Sequence, residues 1–185
     1  TTGSGKSYSI GWLSHTLTSL YQKEGDTKRM FDSIIVVTDR KVLDNQLQKT
    51  IDDLKKNKGV VYPVEKGSSD LKKFLESGKD IIISTIQKFP QISDTIASLG
   101  DKRFAVIIDE VHSSQSGQLS KELKKSLTKD DDEDGFDFED LIREEIKNRG
   151  RQKHISFFGF TGTPKEKTLE LFGTKQSNGE FKPFH

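Results

Sequence analysis

Five short apolar runs, Ile34 to Val37, Val60 to Val64, Ile81 to Ile83, Phe104 to Ile108 and Ile155 to Phe160, constrain the fold of this 185-residue chain more than any other feature. They are rich in β-branched and aromatic residues and too short for helices, so they read as strands covered on both faces. Helical periodicities lie between them: Ile10, Leu13, Leu17 and Leu20, then Val42, Leu43, Leu47, Ile51 and Leu54, then Leu71, Phe74 and Leu75. Strands alternating with amphipathic helices predict an α/β domain, a doubly wound and mostly parallel sheet with helices on both faces. Only 31% of the residues are hydrophobic and 32% are charged, so the core has to be concentrated in these runs. None of them approaches the roughly 20 apolar residues of a membrane-spanning helix. The chain has no cysteine, which excludes disulfides, thiolate zinc sites and cysteine nucleophiles and fits a cytoplasmic setting.

The formal net charge of +1 conceals a division along the chain. Residues 130 to 145 hold ten acids and one base, so the rest of the chain sums to +10. A basic body carrying an acidic insert is compatible with tracking a phosphate backbone. The stretch from about Ser113 to Lys153 reads as a basic helix (Lys121, Lys124, Lys125), the acidic run Asp130 to Asp134 and a second helix with Leu141, Ile142 and Ile146. Its centre is too charged to bury, and the whole stretch is expected to be an insertion at about 113–153 in a single domain spanning 1–185. The chain opens on Thr1-Thr2-Gly3-Ser4-Gly5-Lys6-Ser7 and closes on Phe181-Lys182-Pro183-Phe184-His185, which looks like a piece of a longer protein.

The opening segment carries the first chemistry. Glycines let the backbone curl so that successive N–H groups face one point, and the positive end of the following helix adds to the attraction for phosphate. Gly3, Ser4, Gly5, Lys6 and Ser7 therefore read as a nucleotide cradle, with Lys6 reaching the β- and γ-phosphates and the Ser7 hydroxyl ligating Mg²⁺. The signature also asks for a small residue five places before Gly5, one position ahead of Thr1. Taken alone, the segment also fits an ordinary Gly-Ser turn before a helix.

The second group is Asp109-Glu110-Val111-His112, at the end of the run Phe104 to Ile108. Adjacent carboxylates at the carboxyl edge of a buried parallel strand are costly unless a cation or ligand uses them, and ligands bind at that edge in such sheets. Asp109 is the candidate Mg²⁺ ligand, Glu110 the residue that orients and deprotonates the attacking water, and His112 a coupling residue. A polar strand cap is the plainer alternative. Thr161-Gly162-Thr163-Pro164 directly follows Phe157 to Phe160, and on its own it fits a hydroxyl-rich turn stopped by proline. Thr38-Asp39-Arg40 and Ser84-Thr85-Ile86-Gln87 follow two other strands. Hydroxyls and an arginine there suit nucleic-acid phosphate contacts, although Asp39 and Thr85 also suit helix caps.

Taken in order, these segments resemble motifs I, Ia, Ic, II and III of superfamily 2 helicases and translocases. The connecting sequence is similar to the motor subunit of type I restriction enzymes: Val37-Thr38-Asp39-Arg40 leading into Leu43-Asp44-Asn45-Gln46-Leu47, Thr85-Ile86-Gln87-Lys88-Phe89, Phe158-Gly159-Phe160-Thr161-Gly162-Thr163-Pro164-Lys165, and Thr168-Leu169-Glu170-Leu171-Phe172-Gly173. The resemblance spans nearly the whole chain. It implies a RecA-like P-loop NTPase domain, the first of two in a subunit that uses ATP and Mg²⁺ to pull double-stranded DNA before cleaving it, and that assembles with modification (methyltransferase) and specificity subunits. It implies catalytic roles for Lys6, Asp109 and Glu110, coupling of hydrolysis to motion by His112, Thr161 and Thr163, and DNA contacts by Thr38, Arg40 and Thr85.

Some features of the family are not found in these residues. Gly162 stands where the superfamily often has alanine, and the strand before the cradle, the second RecA-like domain with its arginine fingers and the nuclease triad are missing from this sequence. Another superfamily 2 DNA or RNA helicase is the nearest alternative. A small-molecule kinase would share the cradle without needing Asp-Glu-Val-His or Thr-Gly-Thr-Pro, and a docking module would keep the cradle as a vestige.

Overall fold

Ser33 to Thr38 are all buried, as expected of a strand with no solvent face. In the computed structural model they form β1 (Ser33–Thr38), at the centre of a five-stranded parallel sheet. The other strands are β2 (Val61–Pro63), β3 (Ile81–Thr85), β4 (Phe104–Asp109) and β5 (Ile155–Phe160), in spatial order β2-β3-β1-β4-β5. The structure describes residues 5–23, 25, 27–38, 41–54, 61–64, 68–109, 154–162 and 164–183. The expected insertion at 113–153 lies outside the described residues.

Chain order decides where the helices lie. From β1 the chain moves outward to β2 through α2 (Lys41–Leu54), then returns to β3 through α3 (Ser68–Glu76), and crosses β1 to β4 through a short 3₁₀ turn (Ile86–Lys88) and α4 (Phe89–Ser98). Parallel crossovers are right-handed, so moves in opposite directions put their helices on opposite faces. On one face α2 and α1 (Lys6–Thr18) cover Ile34 and Val36 of β1, Ile81 and Ile83 of β3, and Ala105 and Ile107 of β4 with Ile10, Leu17, Leu47 and Ile51. The alternate residues Ile35, Val37, Ile82, Val106 and Ile108 are equally buried, as are Leu71 and Leu75 of α3 and Ile92 and Ile96 of α4. Both faces are therefore covered, which confirms the α/β expectation.

The seam between α1 and α2 is narrow. A Cβ on Gly11 would lie 2.6 Å from Leu54 Cδ1, the tip of a flexible side chain, and 3.4 Å from Ile51 Cγ1, so the absence of a side chain at Gly11 leaves room for Leu54 against α1. His15, one turn on, brings its Nε2 within 2.7 Å of the Ile51 carbonyl. That carbonyl can only accept, so Nε2 carries the proton. Asp52 lies beside this seam. Its carboxyl is pushed above the ordinary aspartate value, chiefly by burial and further by Asp53, against a smaller opposing pull from His15. A carboxyl whose pKa is raised by folding favours the native state when protonated and opposes it when ionised. Asp52→Asn should therefore raise the melting temperature at neutral pH, and the gain should vanish as the pH falls below about 4, where the unfolded carboxyl is protonated too. Thermal melts of the two proteins across that range check this.

Two compact units result: residues 1–109 with 153–160, and residues 110–152 with 161–185. The second contains α5 (Glu166–Phe172) and a small antiparallel hairpin of β6 (Thr174–Lys175) and β7 (Phe181–Lys182). Thr168 Oγ1 accepts the Lys165 N–H at the start of α5, and the Gly173 N–H closes its end on the Leu169 carbonyl at 2.7 Å. The last of these strands, at Phe181–Lys182, lies in the closing segment of the sequence.

Candidate nucleotide site

Adjacent strands whose outgoing connections run in opposite directions open a crevice at their carboxyl ends. Here those strands are β1, which leads away to β2, and β4, whose next strand is β5 on the other side. Their register sets Val37 opposite Ile108, so Thr38 and Asp109 follow side by side at the crevice. Asp109 is in turn opposite Phe160, the residue before Thr161, and Thr38 is opposite Thr85. Four of the segments singled out in the sequence therefore leave one sheet edge.

The cradle is positioned by Gly5. Its backbone is left-handed, with φ 72° and ψ 4°, a conformation that costs an L-residue with a side chain but not glycine. Among the described residues nothing lies within 4 Å of where a Cβ would be. The Ser9 N–H bonds the Gly5 carbonyl at 3.0 Å and closes the first turn of α1. The N–H groups just before it have no acceptor within the helix, and they sit at the positive end of its dipole. No acidic side chain occupies that first turn, which leaves the place to an external anion.

Lys6 and Asp109 meet there. Lys6 Nζ is 3.4 Å from Asp109 Oδ1, with the two side chains 19% and 10% exposed. A lysine in the first turn of a helix is repelled by the dipole, and a carboxylate ending a buried apolar strand is poorly solvated. Each group offsets the other's cost. A phosphate at the cradle would satisfy Lys6 equally well, and a divalent cation would satisfy Asp109. No cluster of three or more His, Asp or Glu side chains exists among the described residues. Mg²⁺ commonly binds through one or two protein ligands together with substrate phosphates and water. Asp109 and the Ser7 hydroxyl are the ligands on offer.

The other sequence-predicted residues are placed as follows. Thr38 is fully buried and Thr85 nearly so, at 5% exposure, so a phosphate contact by either hydroxyl requires that end of the sheet to be uncovered. Thr161 is half-buried at the start of the segment after β5, and Gly162 beside it is exposed. Gly3, Ser4, Arg40, Glu110, His112 and Thr163 lie outside the described residues. Lys88, in the segment after β3, donates to the Val64 carbonyl and so ties β3 to the end of β2. Sequence reading assigned Lys6 and Asp109 separate tasks and did not pair them. Nothing local could have revealed the pairing, because it depends on which strand lies beside the crevice.

The chain is similar to known proteins over much of its length. A type I restriction enzyme endonuclease subunit from Staphylococcus aureus strain COL is 28% identical over 169 residues, covering 89% of this chain and 14% of that protein, and the subunit from strain MRSA252 matches equally. A protein provisionally named as the C-terminal part of a type I restriction enzyme endonuclease subunit in Mycoplasma pneumoniae is 33% identical over 131 residues, covering 66% of this chain and 58% of that protein. The chain thus spans about one seventh of the staphylococcal relatives. The SWI2/SNF2 ATPase family model matches residues 1–132, from the cradle through β4 and its two carboxylates, and the chain belongs to that family.

Proposed function

We propose that these residues are the ATP-driven motor domain of a type I restriction endonuclease subunit, which moves double-stranded DNA before a nuclease elsewhere in the subunit cuts it. The observation that carries this reading is the Lys6–Asp109 pair at the crevice, in a chain of the SWI2/SNF2 ATPase family. The first N–H groups of α1 and Lys6 hold the β- and γ-phosphates. Ser7 and Asp109 hold Mg²⁺, which when bound neutralises charge on the transferring phosphoryl group. Glu110 orients and deprotonates the attacking water, and Thr161, Thr163 and His112 carry the change in phosphate occupancy to the rest of the motor. Thr38, Arg40 and Thr85 contact the DNA backbone once the strand ends are uncovered. Modification and specificity subunits supply site recognition, and a second RecA-like domain supplies the arginines that complete hydrolysis. None of the described helices is long and apolar enough to cross a membrane.

ATPase turnover of the complete subunit with duplex DNA, single-stranded DNA and RNA is the test. Duplex DNA is expected to stimulate turnover strongly and RNA not at all. Stimulation by RNA alone would move the assignment to an RNA helicase, the nearest rival. The isolated 185 residues should hydrolyse ATP slowly with or without DNA, since an arginine acting on the transferring phosphate is worth about 10³-fold or more in rate.

A further inference from the structure

α1 carries an apolar surface that the described residues do not cover. Ile10 and Leu17 of this helix are buried in the core, yet on its other side Tyr8 and Trp12 are 65% and 71% exposed. Leu20 and Tyr21, just beyond the helix, are the remaining large apolar side chains exposed among the described residues. Tyr8, Trp12 and Thr16 follow one another at intervals of four and so form one ridge along the helix. An open groove beside the ridge is lined by Tyr8, Ser9, Trp12, Leu13, Thr16 and Leu54.

The ridge lacks the residues that ordinarily keep a helix surface in water. Residues 7–22 contain no Asp, Glu, Lys or Arg, in a chain of which 32% is charged. Even the hydroxyls turn inward: Ser9 Oγ donates to the Gly5 carbonyl at 3.3 Å and Thr16 Oγ1 to the Trp12 carbonyl at 2.9 Å. A helix that is apolar all round belongs in an interior, and an uncharged patch rich in Tyr and Trp has the composition of an interface centre.

Charge and area decide what covers it. A nucleic-acid backbone requires cations, and the ridge has none. A stable complex between separate molecules takes about 800 Å² from each partner. Aromatic side chains supply about 150–250 Å² each, so Tyr8 and Trp12 fall well short of that. A domain tethered to the same polypeptide needs less, because the covalent connection holds it at high effective concentration. The staphylococcal relatives contain ample chain for one, since this sequence covers only 14% of their length. We propose that Tyr8 and Trp12 form the centre of a permanent interface with another domain of the same subunit, which presents an uncharged, apolar surface to the α1 ridge. This rests on reading the chain as part of an endonuclease subunit of that length, and not on ATP hydrolysis.

The experiment uses the purified complete subunit. Hydroxyl-radical footprinting measures the oxidation of Trp12 in the native protein relative to the same residue after denaturation. At 71% exposure, an uncovered Trp12 would react at close to the denatured rate. Beneath the interface it should react about 10-fold more slowly, as a side chain at the buried centre of such a patch, at every protein concentration and without DNA or other subunits. In a second measurement Trp12 is replaced by the photo-crosslinking residue benzoylphenylalanine, and the peptide it captures should come from the same polypeptide outside these 185 residues. Should that variant fail to fold, the same replacement at Thr16, on the same ridge, takes its place. Oxidation near the denatured rate overturns the proposal. So does a cross-link to residues 1–185, to a second copy or to another subunit, or the absence of any cross-link. The two readings fail differently. A subunit whose turnover ignores DNA but whose Trp12 is protected loses the motor reading alone; one that responds to DNA with Trp12 freely oxidised loses the interface alone.

Discussion

Lys6→Ala in the complete subunit should reduce ATP turnover by about 10²- to 10³-fold or more, the usual loss when one group that stabilises transition-state charge is removed from an enclosed site. Translocation should stop with it. The same substitution has a second, thermodynamic signature in the absence of nucleotide. Lys6 and Asp109 are 3.4 Å apart and mostly shielded, so removing the lysine deprives a shielded carboxylate of this cation. Breaking such a pair from one side costs more than removing both charges. Thermal melts without nucleotide should therefore rank Lys6→Ala below the double variant Lys6→Ala/Asp109→Asn, although both are inactive. Wild-type turnover in Lys6→Ala would remove the lysine from the mechanism. A double variant less stable than Lys6→Ala would show that the pair is incidental.

Phe104→Ala should be the most destabilising of the simple core truncations, by about 3–5 kcal/mol. Phe104 is fully buried at the start of β4, opposite Ser33 and Ile155, and its N–H is held by the His154 carbonyl at 2.8 Å. Net domain stability is commonly about 5–15 kcal/mol, so this one side chain is worth a large share of it. The urea midpoint should fall by at least about 1 M. Phe104 lies at the opposite end of β4 from Asp109, so nucleotide affinity measured where the variant is still folded should be unchanged. A loss of affinity in the folded variant would mean that the strand transmits strain along its length.

These two residues also show what could be read in advance. The three central strands were legible because burial on both faces demands unbroken apolar runs, and Phe104 to Ile108 is such a run, whereas β2 and β5, expected to be covered in the same way, are only partly buried. Strand ends were less so: β1 gains Ser33 and Thr38, and β3 gains Ser84 and Thr85, polar residues that hydropathy excludes although all four are buried. Periodicity did not reveal α4, because it buries only Ile92 and Ile96 among the described positions and has proline in its first turn. Nor did it reveal β6 and β7, which are two residues each and largely exposed. For the candidate site, Gly5, Lys6, Ser7 and Asp109 could be nominated from the sequence because phosphate and Mg²⁺ chemistry call for those residue types. Only topology pairs Lys6 with Asp109. His15 gave no signal at all in the sequence, since its partner is a backbone carbonyl.

The sheet ends at β5, whose outer side pairs with no strand among the described residues. Its sequence, Ile155 to Phe160, contains three phenylalanines that are only partly buried. The backbone N–H and C=O groups of such an edge, beside aromatic rings, are a template for another strand, from the same polypeptide or from a neighbouring molecule.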